Sequence, residues 1–163
     1  MTEKQQPEVL PIIAGVDFRF KYPAGVYMSK CLHELKENAK FLGIQCPKCK
    51  AIWWPPQVVC SYCHAETGTN WVELGPRGTV VNWVVVYIPS IDPRTGELKT
   101  SQPPAAVIRL DGPEGGGANW LHFLEETDLE KIRKGMRVEA VFKPKEEREG
   151  QASDVLFFRT VEE

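Results

Sequence analysis

The hydrophobic rhythm changes twice along the 163 residues of this chain. Over 1–27, apolar positions are scattered among Pro7, Pro11 and Pro23, with one alternating patch at Val16, Phe18 and Phe20, a pattern that predicts an extended arm. Met28, Leu32, Leu35, Ala39 and Leu42 then recur at steps of three and four. That is the period of one helix face, so an amphipathic helix is expected over about 29–40, within a helical segment 28–43, with Ser29 as its N-cap. Its stripe needs a cover, which is either the chain's own next segment or another protein. After Gly75-Pro76-Arg77-Gly78 the period becomes that of strands. Segment 79–88 is rich in valine and aromatics, and 105–110, 119–124, 136–143 and 155–161 bring the expected strands to five. Between the third and fourth, Thr127 and Glu130 have the spacing of a capping box. Leu129 and Ile132 are expected to face inward, and Gly135 can end a short helix in the left-handed conformation. Five strands with one helix in that position is the order of an OB-fold barrel, expected over 73–163.

The stretch between helix and strands, 44–72, has no period. It carries Cys46-Pro-Lys-Cys49 and, ten residues later, Cys60-Ser-Tyr-Cys63. Each Cys-x-x-Cys turn sets two sulfurs at a distance suited to one ion, so Cys46, Cys49, Cys60 and Cys63 together can complete the tetrahedral shell that Zn²⁺ prefers. Four protein ligands leave no open position, which points to a structural metal rather than a catalytic one. A redox pair and disulfides are the competing readings, and the spacing alone also admits iron in the same all-sulfur site. Between the knuckles lies Ile52-Trp53-Trp54-Pro55-Pro56. Two adjacent tryptophans and two prolines make a stiff apolar edge that a small metal-held module covers poorly. Either the neighbouring barrel or a partner covers it, and the partner reading takes Leu32, Leu35, Trp53 and Trp54 as interface residues.

Composition narrows the function classes. With 20 Lys and Arg against 22 Asp and Glu the formal charge is −2, and metal-bound thiolates make it more negative, so nucleic acid is offered no overall attraction. An OB-fold could still stack single-stranded bases on Trp83, Tyr87 and Trp120. However, the basic cluster Lys131, Arg133, Lys134 and Arg137 is interrupted by Glu130 and Glu139, the mark of a solvated mixed face. No apolar run approaches the roughly 20 residues of a membrane span, and no signal peptide is recognisable, so a cytoplasmic protein is expected. Cys31, inside the helical pattern, reads as a buried inert thiol. No catalytic motif with recognisable local context is present. His33 sits in the helix, His64 follows a metal ligand, and His122 lies in a strand with a packing or pocket-lining role.

Several stretches carry a resemblance. Leu121-His122-Phe123-Leu124, the run from Gly135 to Pro144, Glu146-Glu147-Arg148-Glu149-Gly150 and Asp154-Val155-Leu156-Phe157-Phe158-Arg159 occur in order. With the helix, both Cys pairs and Pro55-Pro56, they resemble the DUF35 family over about residues 25–161. The resemblance implies a mainly β chain with an N-terminal helix, a rubredoxin-like zinc ribbon and a C-terminal five-stranded OB-fold barrel. It further implies a non-catalytic accessory subunit of an acyl-CoA enzyme. The partner is in most cases a thiolase-fold protein, in others a hydratase or a steroid-chain aldolase. Such a subunit docks on its partner, helps to form the acyl-CoA site for 3-oxoacyl-CoA thiolysis, and leaves the catalytic cysteine and histidines to it. Coenzyme A carries phosphates, for which Arg94, Lys99 and Arg109 are candidates; the alternative is solvated loop charge, and none is assigned as a ligand.

Overall fold

The computed structural model describes residues 22–85, 90–91, 96–99 and 102–161. Most of the expected arm, Tyr87 and Arg94 lie outside them. Helix α1 (Gly25–Asn38) begins four residues before the expected start at 29. Ala24 is its N-cap and makes no side-chain cap bond, so Ser29 is an exposed position inside the helix and not its cap. Its C-terminus is closed by Ala39 in the left-handed conformation, with the Ala39 amide on Leu35 O at 3.2 Å and that of Lys40 on Glu34 O at 3.4 Å.

Strand β1 (Phe41–Gln45) is the centre of a three-stranded antiparallel sheet, flanked by β2 (Ile52–Trp53) and β3 (Trp71–Leu74). Ile44 faces Trp53 on one side and Phe41 faces Leu74 on the other. The chain then enters the second sheet through β4 (Arg77–Val84). A small hairpin of β5 (Ser90–Ile91) and β6 (Leu98–Lys99) follows, then β7 (Ala105–Asp111), β8 (Gly117–Phe123), β9 (Arg137–Phe142) and β10 (Val155–Thr160). The five long strands are ordered β10-β9-β4-β7-β8. The two edges meet: Leu124, just past β8, bridges Phe158 of β10 in parallel, and the Glu125 amide reaches Phe158 O at 2.9 Å. This closure leaves no long free edge and is the OB-fold topology expected from the strand order. Register shifts between Val80 and Asn82 in β4, and between Val155 and Phe157 in β10, supply the bends a small barrel needs.

The short helix expected between the third and fourth barrel strands does not form. The Asp128 carboxylate takes the Glu130 amide at 3.1 Å, the Glu126 carboxylate takes the Asp128 amide at 2.9 Å, and the Lys131 amide closes a single turn on Asp128 O at 3.1 Å, after which the chain does not continue as helix. Leu129 is accordingly exposed, whereas Ile132 is buried as expected and Gly135 has φ +85° with its amide on Val80 O.

Ribbon and barrel share one core. Phe41 of β1 is fully buried and touches Trp54 of the ribbon and Trp120, Phe142 and Phe158 of the barrel, at ring-centroid distances of 5.4–6.4 Å. Helix α1 seats Cys31 and Leu35 in this core. It is also tied to the β9–β10 connection by Arg148 donating to Lys36 O at 3.3 Å and by a Lys145–Glu37 pair at 3.5 Å.

Candidate metal centre and the cleft beside it

Each knuckle is a tight turn closed in the same way. The Cys46 amide donates to Ala51 O and the Lys50 amide to Cys46 O; the Cys60 amide donates to Ala65 O and the His64 amide to Cys60 O, all within 2.8–3.0 Å. Lys50 (φ 65°) and His64 (φ 56°) hold the left-handed conformation that turns the chain after each pair. His64 thus serves backbone geometry. The two turns bring the four sulfurs of Cys46, Cys49, Cys60 and Cys63 within 4.8 Å of one another, with Cys46–Cys63 and Cys49–Cys60 at 3.5 Å. A tetrahedron with Zn–S bonds of about 2.3 Å has edges of about 3.8 Å, so the donor set fits Zn²⁺ in number, chemistry and spacing. These separations exceed a disulfide bond, and all four cysteines are free.

Electrostatics point the same way. The amides of Cys49 and then Lys48 lower the Cys46 thiol against the opposing effect of burial. Burial would raise Cys60, but the amides of Cys63 and Tyr62 outweigh it and bring that thiol down to about 6. The Trp53 indole N–H adds to this lowering although it stops short of hydrogen-bond geometry. Cys49 goes the other way: the Ala51 amide favours its thiolate, yet desolvation and the three neighbouring sulfurs push it up to about 12. Four sulfurs at this distance cannot all ionise without a cation between them.

The predicted interface residues separate. Leu35 is buried in the core, and Trp54 is 6% exposed, packed edge-on against Phe41 and Trp120. The chain's own core covers both, so neither offers a surface to a partner; adjacency in sequence had hidden that Trp53, in β2, and Trp54, just past it, turn to different neighbours. Leu32 and Trp53 remain half-exposed. The Trp53 ring lies 4.9 Å from that of Tyr62, and both line a cleft of about 470 Å³ between the ribbon and the barrel, whose far wall includes Arg109 and Asn119. The sequence reading gave Tyr62 no role; an aromatic between two metal ligands, where the side chain faces outward, was the available signal. Val58 and Val59, exposed on the second knuckle, had none. Arg109 projects from β7, the strand expected over 105–110, and Lys99 falls in β6. Trp120 and Trp83 pack against the core instead of forming an open stacking platform.

Helix, four-cysteine ribbon and closed barrel define a class: a zinc ribbon built onto an OB-fold. Two family models match the chain, the ChsH2 rubredoxin-like zinc ribbon domain over residues 36–67 and the ChsH2 C-terminal OB-fold domain over 71–143, together more than half of it. The chain belongs to this DUF35 family. Among solved structures it is similar to one titled Ltp2-ChsH2(DUF35) aldolase. That match is 22% identical, covers 85% of this chain and 98% of that one, and has a TM-score of 0.51, a likeness of fold. It is also similar to a DUF35-family protein of unknown function from Sulfolobus solfataricus, 20% identical, covering 80% and 81% of the two chains with a TM-score of 0.49. A search of curated proteins found no match.

Proposed function

We propose that this chain is a non-catalytic accessory subunit of a thiolase-fold acyl-CoA enzyme, docking on that enzyme and helping to form its site for 3-oxoacyl-CoA thiolysis. Family membership supports an accessory role, and one structural relative carries an aldolase in its title. The observation that carries the reading is the state of the cysteines. Four converge on the metal centre. The fifth, Cys31, is buried, donates its Sγ–H to Leu42 O at 2.8 Å, and has its thiol pushed up to about 12 by burial, with Lys30 lowering it and Glu34 raising it. Thiolysis needs an activated thiolate, acid/base groups and an oxyanion hole in one preorganised site, which a chain of this kind takes from its partner. Leu32 and Trp53 serve as docking contacts, joined by the exposed Val58 and Val59. Length and layout are also similar to the small subunit of benzoylsuccinyl-CoA thiolase, while no residue here selects an aromatic over a short aliphatic acyl chain. We place the protein in the cytoplasm; among the described residues no helix is long and apolar enough to cross a membrane.

Reconstitution tests the proposal. The isolated chain is expected to show no thiolytic turnover, and its complex with a thiolase-fold subunit to cleave a 3-oxoacyl-CoA. Cys31→Ala should leave that turnover within about two-fold. An assembled complex that loses turnover with Cys31→Ala, or an isolated chain that turns over acyl-CoA, overturns the reading.

A further inference from the structure

Trp53 buries the edge of its ring that a surface tryptophan ordinarily keeps wet. The residue is half-exposed, so the N–H could have faced water. Instead the indole nitrogen is the buried atom, and no acceptor among the described residues meets it. A buried donor without an acceptor is costly, and one in a native fold calls for a partner that the protein acquires when an ion or water is bound.

The surroundings name the acceptor. The indole N–H is near enough to the Cys60 sulfur to favour its thiolate. The ring is held in that position from two sides: β2 pairs Trp53 with Ile44 in register, and the Tyr62 ring packs on it at 4.9 Å with the planes 50° apart. Tyr62 lies between Cys60 and Cys63, and its backbone amide is one of those that favour the Cys60 thiolate. The residue that holds the indole therefore belongs to the knuckle whose sulfur the indole faces. A neutral thiol is a weak acceptor, whereas a thiolate takes a charge-assisted bond. Since the four sulfurs ionise together only around a cation, this bond comes with the metal.

We propose that the Trp53 indole N–H donates to the metal-bound sulfur of Cys60, so that Trp53 is a positioning residue of the metal centre and metal occupancy in turn fixes the orientation of its ring. Donors to metal-bound ligands hold them in place and account for ten- to hundred-fold in metal affinity. The coupling is reciprocal, because whatever the bond contributes to the ion it also contributes to the ring. That ring is a wall of the cleft between ribbon and barrel, so removal of the ion frees a residue on the outer surface of the ribbon as well as the knuckles. The inference concerns this chain alone and stands whichever enzyme the chain accompanies.

NMR of the full chain, labelled with ¹⁵N-tryptophan and loaded with ¹¹³Cd in place of zinc, tests the proposal. The Trp53 indole proton is expected to show a scalar coupling to the cadmium, transmitted through the N–H···S bond. The Trp54 indole, likewise without an acceptor but packed on Phe41 and Trp120 in the core, is expected to show none. Trp53→Phe keeps an aromatic ring and removes the N–H. It should erase the coupling and weaken zinc about tenfold in competition with a chromophoric chelator, with circular dichroism unchanged. Tyr62→Phe keeps the ring that packs on the indole and should leave both readouts within about two-fold. Cys60→Ser, loaded through its three remaining sulfurs, should lose the coupling. Absence of coupling at every indole of the cadmium-loaded wild type overturns the proposal, and that spectrum needs no variant to fold. It is equally overturned by a coupling that survives in Trp53→Phe, by one that survives in Cys60→Ser, or by folded Trp53→Phe holding zinc as tightly as the wild type.

Discussion

Asp154 is fully buried, yet it stays ionised because three amides converge on its carboxylate: Glu149 at 2.9 Å, Gly150 at 2.6 Å and Gln151 at 3.1 Å. Burial alone would raise its pKa, and these amides, with help from Lys143, bring it below the usual aspartate value. A depressed carboxylate contributes stability that is fully present above its unfolded pKa of about 3.9 and is lost as pH falls through the folded value. Asp154→Ala strands the three donors and is expected to cost about 2–3 kcal/mol in urea unfolding at pH 7, with a shallower acid limb below pH ~4. His122 is a second buried titratable group. Burial among Trp120, Phe123 and Phe158 lowers its pKa, against the weaker pull of the Ala152 and Phe123 carbonyls. The folded state therefore holds the neutral ring, and its stabilising effect is complete above the unfolded value of about 6.5 and declines as pH drops below it. His122→Leu should flatten the decline in denaturation midpoint between about pH 7 and pH 5; an unchanged slope would place the titrating group elsewhere.

Strand β4 is the element on which the barrel depends, since it pairs with β9 on one side and β7 on the other. Gly78 is where those neighbours come closest: a Cβ would lie 2.7 Å from Arg109 O and from the Ile108 Cγ2. Gly78→Ala is expected to destabilise the chain by about 1–3 kcal/mol while leaving the distant ribbon knuckles able to take up metal. A thermal shift with retained zinc content is the readout. This glycine was visible in the sequence only as turn punctuation before the first barrel strand; its packing role arises from the approach of β7, some thirty residues later.

At the scale of the whole molecule, ribbon and barrel are expected to unfold together, because Phe41 of the ribbon packs on Trp120, Phe142 and Phe158 of the barrel and Trp54 packs on Phe41 and Trp120. Purified protein is expected to hold about one zinc per chain. Chelation, or Cys46→Ser or Cys60→Ser, should lower the melting temperature of the entire chain in a single transition. A barrel that melts unchanged after metal removal would separate the two modules, and stoichiometric iron would reassign the ion. Docking belongs to this scale too. Trp54→Ser is expected to cost folding, about 3–5 kcal/mol, whereas Trp53→Ser should weaken assembly with a thiolase-fold subunit more than it weakens the isolated chain.

What the chain determined by itself was local in range. Two Cys-x-x-Cys turns need only a few residues each to set their sulfurs, and a period of two needs only its own strand, so the ligand set and the succession of five barrel strands were legible. Tertiary structure decided what depends on distant partners. It placed Leu35 and Trp54 inside and left Trp53 at a cleft, since which face of a strand or helix is covered depends on what packs there. It replaced the helix expected after β8 by acidic turns, where local propensity met no surface to bury a full helical face. And it brought Arg109 and Asn119 opposite Trp53 and Tyr62, residues from two modules whose meeting rests on closure of the barrel and on the core that the ribbon shares with it.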